Sequence, residues 1–314
     1  MIVFLLLIID SSFQYFYGTN ILGYDYDGRR VSSLFGDEKI LGSYISRLTP
    51  LILGLIFLKF NNIKFLTFYL IIFFLLTDFI VLISAERAAI FFKILTYIFL
   101  FIFLKRMFYL KVFYLLAFLI MILTVFSIDN NIKTRVLDFT YEDFFTKKIE
   151  KNNEILIFTL QHQVIYKTSW KMFKDNPIFG IGPKMYRIKC SDKKYYTEER
   201  LNDENFHYVH GCSTHPHNSY LQLLSETGLV GFSYLLIIVL FMLYYLIYII
   251  INRVNYKVDE YNFRICIIMC ILITLWPIIP TGNFFNNWLS ILYFFPVGFL
   301  FSILNKDENL NNEL

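Results

Sequence analysis

Apolar runs close to 20 residues long recur along this 314-residue chain, at approximately 1–16, 41–58, 65–84, 88–104, 109–128, 228–251, 263–280 and 287–304. A helix of about 20 residues crosses a bilayer core of about 30 Å, so each run is long enough, or nearly so, to span a membrane. Composition agrees. The chain is 57% hydrophobic and only 17% charged, whereas soluble domains are about half apolar and a quarter charged. The expected fold class is an all-α, polytopic membrane protein with about eight transmembrane helices and a large outward-facing helical loop between spans five and six. The first run is the weakest, because it contains Asp10. It has no basic n-region and no small-residue cleavage site, so a cleaved leader is not expected. Pro277, Pro280 and Pro296 should kink or end the last two spans.

Orientation follows the basic residues of the short loops. Lys59 and Lys64, then Lys105, Arg106 and Lys111, then Arg253, Lys257 and Arg264 all fall on one side, which should be the cytoplasm. The expected organisation is an N-terminal bundle of about five spans (1–128), an outward loop (129–227), a C-terminal group of about three spans (228–304) and a cytoplasmic tail (305–314). Within the loop, 154–174 has the apolar and polar spacing of an amphipathic helix lying on or over the membrane, ended by Asn176-Pro177. No internal repeat is visible.

All five histidines, His162, His207, His210, His215 and His217, lie in the outward loop. Titratable imidazoles beside a membrane and absent from the spans mark where chemistry should be sought. His215-Pro216-His217-Asn218 is a poor tetrahedral ligand set without a matching carboxylate or thiolate trio, so no metal is expected. A near-neutral imidazole suits general-base work or hydrogen bonding to developing charge. The structural alternative is an interfacial histidine at the start of the sixth span. Cys190 and Cys212 share the outward loop and form a disulfide candidate, whereas Cys266 and Cys270, one helical turn apart, read as packing residues.

Arginines shift the balance toward function. Arg29 and Arg30 lie in the first outward loop, Arg87 in the tight turn Ser84–Ala88, and Arg135 and Arg187 in the large loop. A guanidinium presents a fixed fork of donors that matches phosphate oxygens. For Arg87 the structural alternative is a salt bridge to Glu86 or Asp78. Arg47 and Lys93, in or near spans, are candidates as buried ionisable groups, with Asp78 available as a partner. Outward arginines beside histidines point to an anionic, phosphate-bearing, lipid-linked substrate. The net charge of +4 is small, and no nucleic-acid partner is expected.

His217-Asn218, nine residues, then Gly228-Leu-Val-Gly231 resembles the signature of the O-antigen ligase and polymerase superfamily. Arg30-Val-Ser-Ser-Leu-Phe-Gly-Asp37, the Arg87 turn and Trp170–Gly182 follow in the order of that family, so the similarity runs from about residue 10 to 300. The resemblance implies a membrane-embedded glycosyltransferase that moves a glycan from undecaprenyl diphosphate to an acceptor hydroxyl on the periplasmic face of a bacterial inner membrane. A ligase uses lipid A–core as acceptor; a polymerase uses the growing glycan on another lipid carrier. Neither a cofactor nor a metal is implied. His217 would be catalytic, Arg87 and Arg30 would bind the donor diphosphate, Arg135 and Arg187 would join them, and His215 and Asn218 would support the site. Family members usually have more spans, which fits an N-terminally incomplete sequence, and Ser33 stands where they often have glycine. Ligase is the leading expectation and repeat-unit polymerase the alternative. A lipid-linked glycan transporter is the alternative of another class, opposed by charges clustered on the outward face instead of at mid-membrane.

Overall fold

A computed structural model describes residues 2–60, 63–105, 108–143, 158–200 and 208–312. The helices are α1 (Ile2–Tyr17), α2 (Leu41–Lys59), α3 (Ile63–Ile83), α4 (Arg87–Phe103), α5 (Phe108–Ile128), α6 (Asn130–Lys133), α7 (Phe139–Tyr141), α8 (Leu160–Asp175), α9 (Tyr186–Lys189), α10 (Ser219–Ile251), α11 (Val258–Thr274) and α12 (Asn287–Asn312). Strands β1 (Glu198–Arg200) and β2 (Tyr208–His210) form a small antiparallel pair, with Glu199 opposite Val209. All eight apolar runs of the sequence are helical. Among the described residues five helices, α2, α3 over Phe65–Ile83, α5, α10 and α12 over Asn287–Leu304, are long and apolar enough to cross a membrane. The protein is an all-α polytopic membrane protein.

Three boundaries differ from the sequence expectation. The seventh run ends at Thr274 instead of near 280, because the residue before Pro277 is biased away from helical backbone. Pro296 does not end α12, which continues through it to Asn312. The sixth span begins nine residues early, at Ser219, and Gly228 breaks it. The amphipathic stretch expected over 154–174 is helical from Leu160; residues 154–157 lie outside the described residues.

The chain divides into two compact units. The first holds residues up to Val136, Met242–Thr274 and the chain from Leu292 on. Its central element is α11, in which every residue from Tyr261 to Thr274 is buried; over Ile265–Ile273 it is apolar on all sides, as expected of a buried helix. It packs along α2 and α4. Two buried cations of this unit have carboxylate partners. The Lys93 ammonium lies 2.8 Å from the Asp78 carboxylate and donates to Thr77 Oγ1 at 2.7 Å, while the Tyr97 hydroxyl donates to Asp78. Arg264 bonds the Tyr245 hydroxyl (2.9 Å) and Glu260 (3.0 Å). At one end of this unit two of the basic loops meet: Lys105 N–H donates to Asn262, its ammonium donates to the Arg253 carbonyl and sits over the Tyr261 ring.

The second unit comprises Leu137–Phe241 and Leu275–Ile291. The sequence suggested helices spread over the membrane surface here, but the segment has a core of its own: Ile165, Tyr166, Met172, Tyr186, Cys190 and Tyr195. A disulfide joins Cys190, at the end of α9, to Cys212. The Tyr186 hydroxyl bonds both the Ile165 and Gly211 carbonyls, at 3.1 and 2.5 Å.

A backbone lock organises this unit. Gly228 has φ +65°, which interrupts α10 and frees amides and carbonyls on both sides of the break. The loop 176–182 takes them up: Leu229 N–H donates to Pro177 O (2.8 Å), Val230 N–H to Ile178 O (3.2 Å), Ile181 N–H to Ser225 O (2.9 Å) and Gly182 N–H to Glu226 O (2.9 Å). Two glycines make this approach feasible. A Cβ on Gly228 would lie 2.3 Å from the Ile178 carbonyl oxygen, and one on Gly180, itself at φ +68°, 2.4 Å from the Glu226 carbonyl carbon. Two pieces of the family resemblance, the end of Trp170–Gly182 and Gly228–Gly231, are thus opposite sides of one structure.

Candidate active site

The half-helix before Gly228 starts at the histidines. Asn218 caps it: its side-chain oxygen accepts from Tyr220 N–H (3.0 Å) and Leu221 N–H (3.1 Å), satisfying donors of the first turn. Its amide nitrogen donates to the Pro277 carbonyl at 2.7 Å, which ties the cap to the loop after α11. His217 precedes it with φ +55°, a left-handed backbone seen in histidine more often than in most residues. Thr281 holds that conformation in place. It donates its N–H to the His217 carbonyl (2.8 Å), accepts from His215 Nε2 on its own carbonyl (3.2 Å), and pairs its hydroxyl with Ser219 (3.0 Å).

His215 and His217 differ in what they can do. The Thr281 carbonyl only accepts, so His215 carries its proton on Nε2, and Nδ1 is left to accept from the Thr214 hydroxyl at 2.9 Å. Burial, followed by the neighbouring His217, lowers the His215 pKa to about 4. It is neutral at physiological pH with both nitrogens engaged, which makes it a support. His217 is half-buried, and burial lowers its pKa as well. Its Nε2 lies 2.9 Å from Ser213 Oγ. His162, the third residue of α8, stands edge-on to His217 with ring centroids 5.6 Å apart, and the His215 and His217 rings are 4.0 Å apart. Behind them Gln222 and Glu226 are buried: Gln222 bonds Glu226 and Asn283 (both 2.9 Å), and Glu226 accepts from Tyr186 N–H at 2.9 Å. Among the described residues no three His, Cys, Asp or Glu side chains converge to hold a metal ion.

In the first unit, three of the four arginines expected to bind the donor diphosphate lie in one region. Arg87 is the first residue of α4, with an exposed side chain. The Arg30 guanidinium is 3.6 Å from the Glu86 carboxylate and donates to the Lys39 carbonyl. Arg135 Nε donates to the Ala85 carbonyl at 3.2 Å. Burial, then the charges of Arg30 and Arg87, lower the Arg135 pKa, with Asp27 and Glu86 opposing. Arg135 thus lies within electrostatic reach of both Arg30 and Arg87. Asp78 is paired with Lys93, and Glu86 accepts from Gly42 N–H (2.7 Å), Ser43 N–H (3.2 Å) and the Ser43 hydroxyl (2.7 Å), capping α2 from a distance. Burial raises the Glu86 pKa while Arg30 and these donors oppose it. Arg187 lies exposed on α9 in the second unit. Arg47 is buried with its guanidinium 4.5 Å over the Phe92 ring.

Ser33 also has a physical account. It adopts φ +53°, where glycine would be unstrained, and is held by its hydroxyl on Asp10 (2.6 Å) and its N–H on Gln14 (2.6 Å). Sequence reasoning did not single out Ser213, Thr281, Gln222 or Glu226. Thr281 sits 64 residues beyond His217, and only the tertiary fold joins them.

Comparison with known proteins yields one match and one absence. A family model described as O-antigen ligase matches residues 70–236, just over half of the chain. Arg87, Arg135, Arg187, His215 and His217 fall inside it and Arg30 outside. No curated protein matches the chain.

Proposed function

The chain belongs to the O-antigen ligase family, whose members are glycosyltransferase-like membrane enzymes, and on that premise we propose that it transfers a glycan from undecaprenyl diphosphate to lipid A–core at the periplasmic face of the inner membrane. The observation that carries this reading is His217: a neutral imidazole in the family's own motif, with Nε2 at hydrogen-bonding distance from a hydroxyl. In this reading His217 Nε2 accepts the proton of the acceptor hydroxyl as its oxygen attacks the glycosyl carbon. The bond from that carbon to the diphosphate oxygen breaks, and the electron pair leaves with the diphosphate. Arg30 and Arg87 bind that diphosphate, whose negative charge grows as the bond breaks, and Arg135 and Arg187 support them. Such stabilisation favours the transition state over the bound donor. His215 and Asn218 hold the His217 backbone.

Replacing His217 by Ala should lower transfer by about 10²- to 10⁴-fold, the usual worth of a general base, with protein level in the membrane unchanged. Transfer at the parental rate would overturn the assignment. Deleting the gene should leave long lipid-linked polymer and bare lipid A–core; core bearing single repeats would instead identify a repeat-unit polymerase.

A further inference from the structure

The hydroxyl already on His217 identifies where the acceptor binds. Ser213 Oγ lies 2.9 Å from Nε2, inside the 2.6–3.2 Å range that a general base needs toward the oxygen it deprotonates. A neutral imidazole nitrogen has a single lone pair, so only one hydroxyl can donate to it at a time. Ser213 is held there from both sides. Its neighbour Cys212 is tied to Cys190, and its other neighbour Thr214 bonds His215 Nδ1. Ser213 is partly exposed and Thr214 exposed, so this side of the ring is open to an incoming group. His215 and His162 flank His217 on its other sides.

We propose that Ser213 occupies the acceptor-hydroxyl subsite: its Oγ satisfies His217 Nε2 in the resting protein and is displaced by a sugar hydroxyl. This rests on the reading of His217 as the base. Ser213 is neither consumed nor covalently changed. The acceptor proton passes to Nε2, the new oxygen–carbon bond forms as the carbon–diphosphate bond breaks, and the proton then leaves His217 for water while the Ser213 hydroxyl returns.

Two measurements on the solubilised full chain test this. Diethyl pyrocarbonate carbethoxylates neutral imidazole nitrogens, and mass spectrometry reads its rate at His217. In Ser213→Ala that rate should rise by about 2- to 12-fold, the range set by one net hydrogen bond. With membrane-extracted lipid-linked glycan as donor and lipid A–core as the varied acceptor, the acceptor KM should fall and kcat/KM rise by the same factor, with Ser213→Thr resembling the parent. An unchanged carbethoxylation rate, or a kcat/KM that falls in Ser213→Ala, overturns the proposal. His217→Ala in the same assay separates the two readings. Full transfer there removes the base itself, whereas loss of transfer there with Ser213→Ala unmoved removes only the Ser213 subsite.

Discussion

Replacing Gly228 by Ala tests whether the backbone lock shapes the site. Alanine at φ +65°, ψ −163°, backbone that only glycine adopts freely, costs at least about 1–2 kcal/mol. That Cβ would also lie 2.3 Å from the Ile178 oxygen, a distance that backbone cannot relieve without separating. Separation breaks at least the bonds from Leu229 to Pro177 and from Val230 to Ile178. At about 0.5–1.5 kcal/mol net each, the whole change comes to roughly 2–5 kcal/mol. Amide exchange of peptides covering 176–182 and 225–230, followed by mass spectrometry, reads this local opening. Exchange there should accelerate by roughly 30-fold to several thousand-fold, since about 1.4 kcal/mol corresponds to tenfold. Gly298→Ala is the control, because a Cβ at that helical glycine meets nothing within 4 Å. It should be neutral or stabilising by up to about 1 kcal/mol. Equal exchange in the two variants would refute the argument that the break at Gly228 is held by loop 176–182.

Acid should destabilise the second unit through His215. Its folded pKa of about 4 lies below the ordinary 6.5, so the unfolded chain binds the extra proton first. Stability is full above pH 6.5, falls as pH drops from 6.5 to 4, and levels off below, a change of about 3 kcal/mol; His215→Gln should flatten melting curves over that window. Replacing Cys190 by Ser opens a loop between residues 22 apart, worth about 3 kcal/mol on a chain-entropy basis, and should lower the melting temperature of the oxidised protein but not of the fully reduced one. Asp78→Asn or Lys93→Met alone leaves a buried partner uncompensated and should cost about 3–5 kcal/mol, whereas the double variant should recover most of it. Additive losses in thermal melts of all three would mean the pair is not coupled.

Hydrophobic run length was enough to find a helix at each of the eight apolar runs, five of them long and apolar enough to cross a membrane among the described residues, because spanning a bilayer demands a continuous apolar stretch. The nine-residue spacing from Asn218 to Gly228 likewise marked a real unit: the cap at one end and the break at the other delimit a single half-helix. Its meaning was not legible. Gly228 looked like the start of a span, and only pairing with 176–182, some 50 residues away, shows why the helix must break there. Thr281 and Pro277 were hidden for the same reason. The run around Pro277 read as the end of a span and Thr281 as the first residue of an outward loop, but the helix ends at Thr274 and the chain after it holds the His217 backbone and the Asn218 cap. Glu86, read from the sequence only as a neighbour of Arg87, also pairs with Arg30 and caps α2, contacts set by non-local geometry.

The burial of α11 bears on how the chain is made. This helix fills the centre of the first unit against α2 and α4, yet it is translated about 130 residues after α5 ends. At synthesis rates of about 5–20 residues per second, the 155 and 199 residues from the ends of α4 and α2 to the start of α11 take roughly 8–40 seconds. Through that interval the seam that α11 will occupy, including buried Arg47, has to be shielded by lipid, by the insertion machinery or by temporary helix contacts. The early bundle is therefore held as an open assembly, and it closes only when α11 enters from the ribosome.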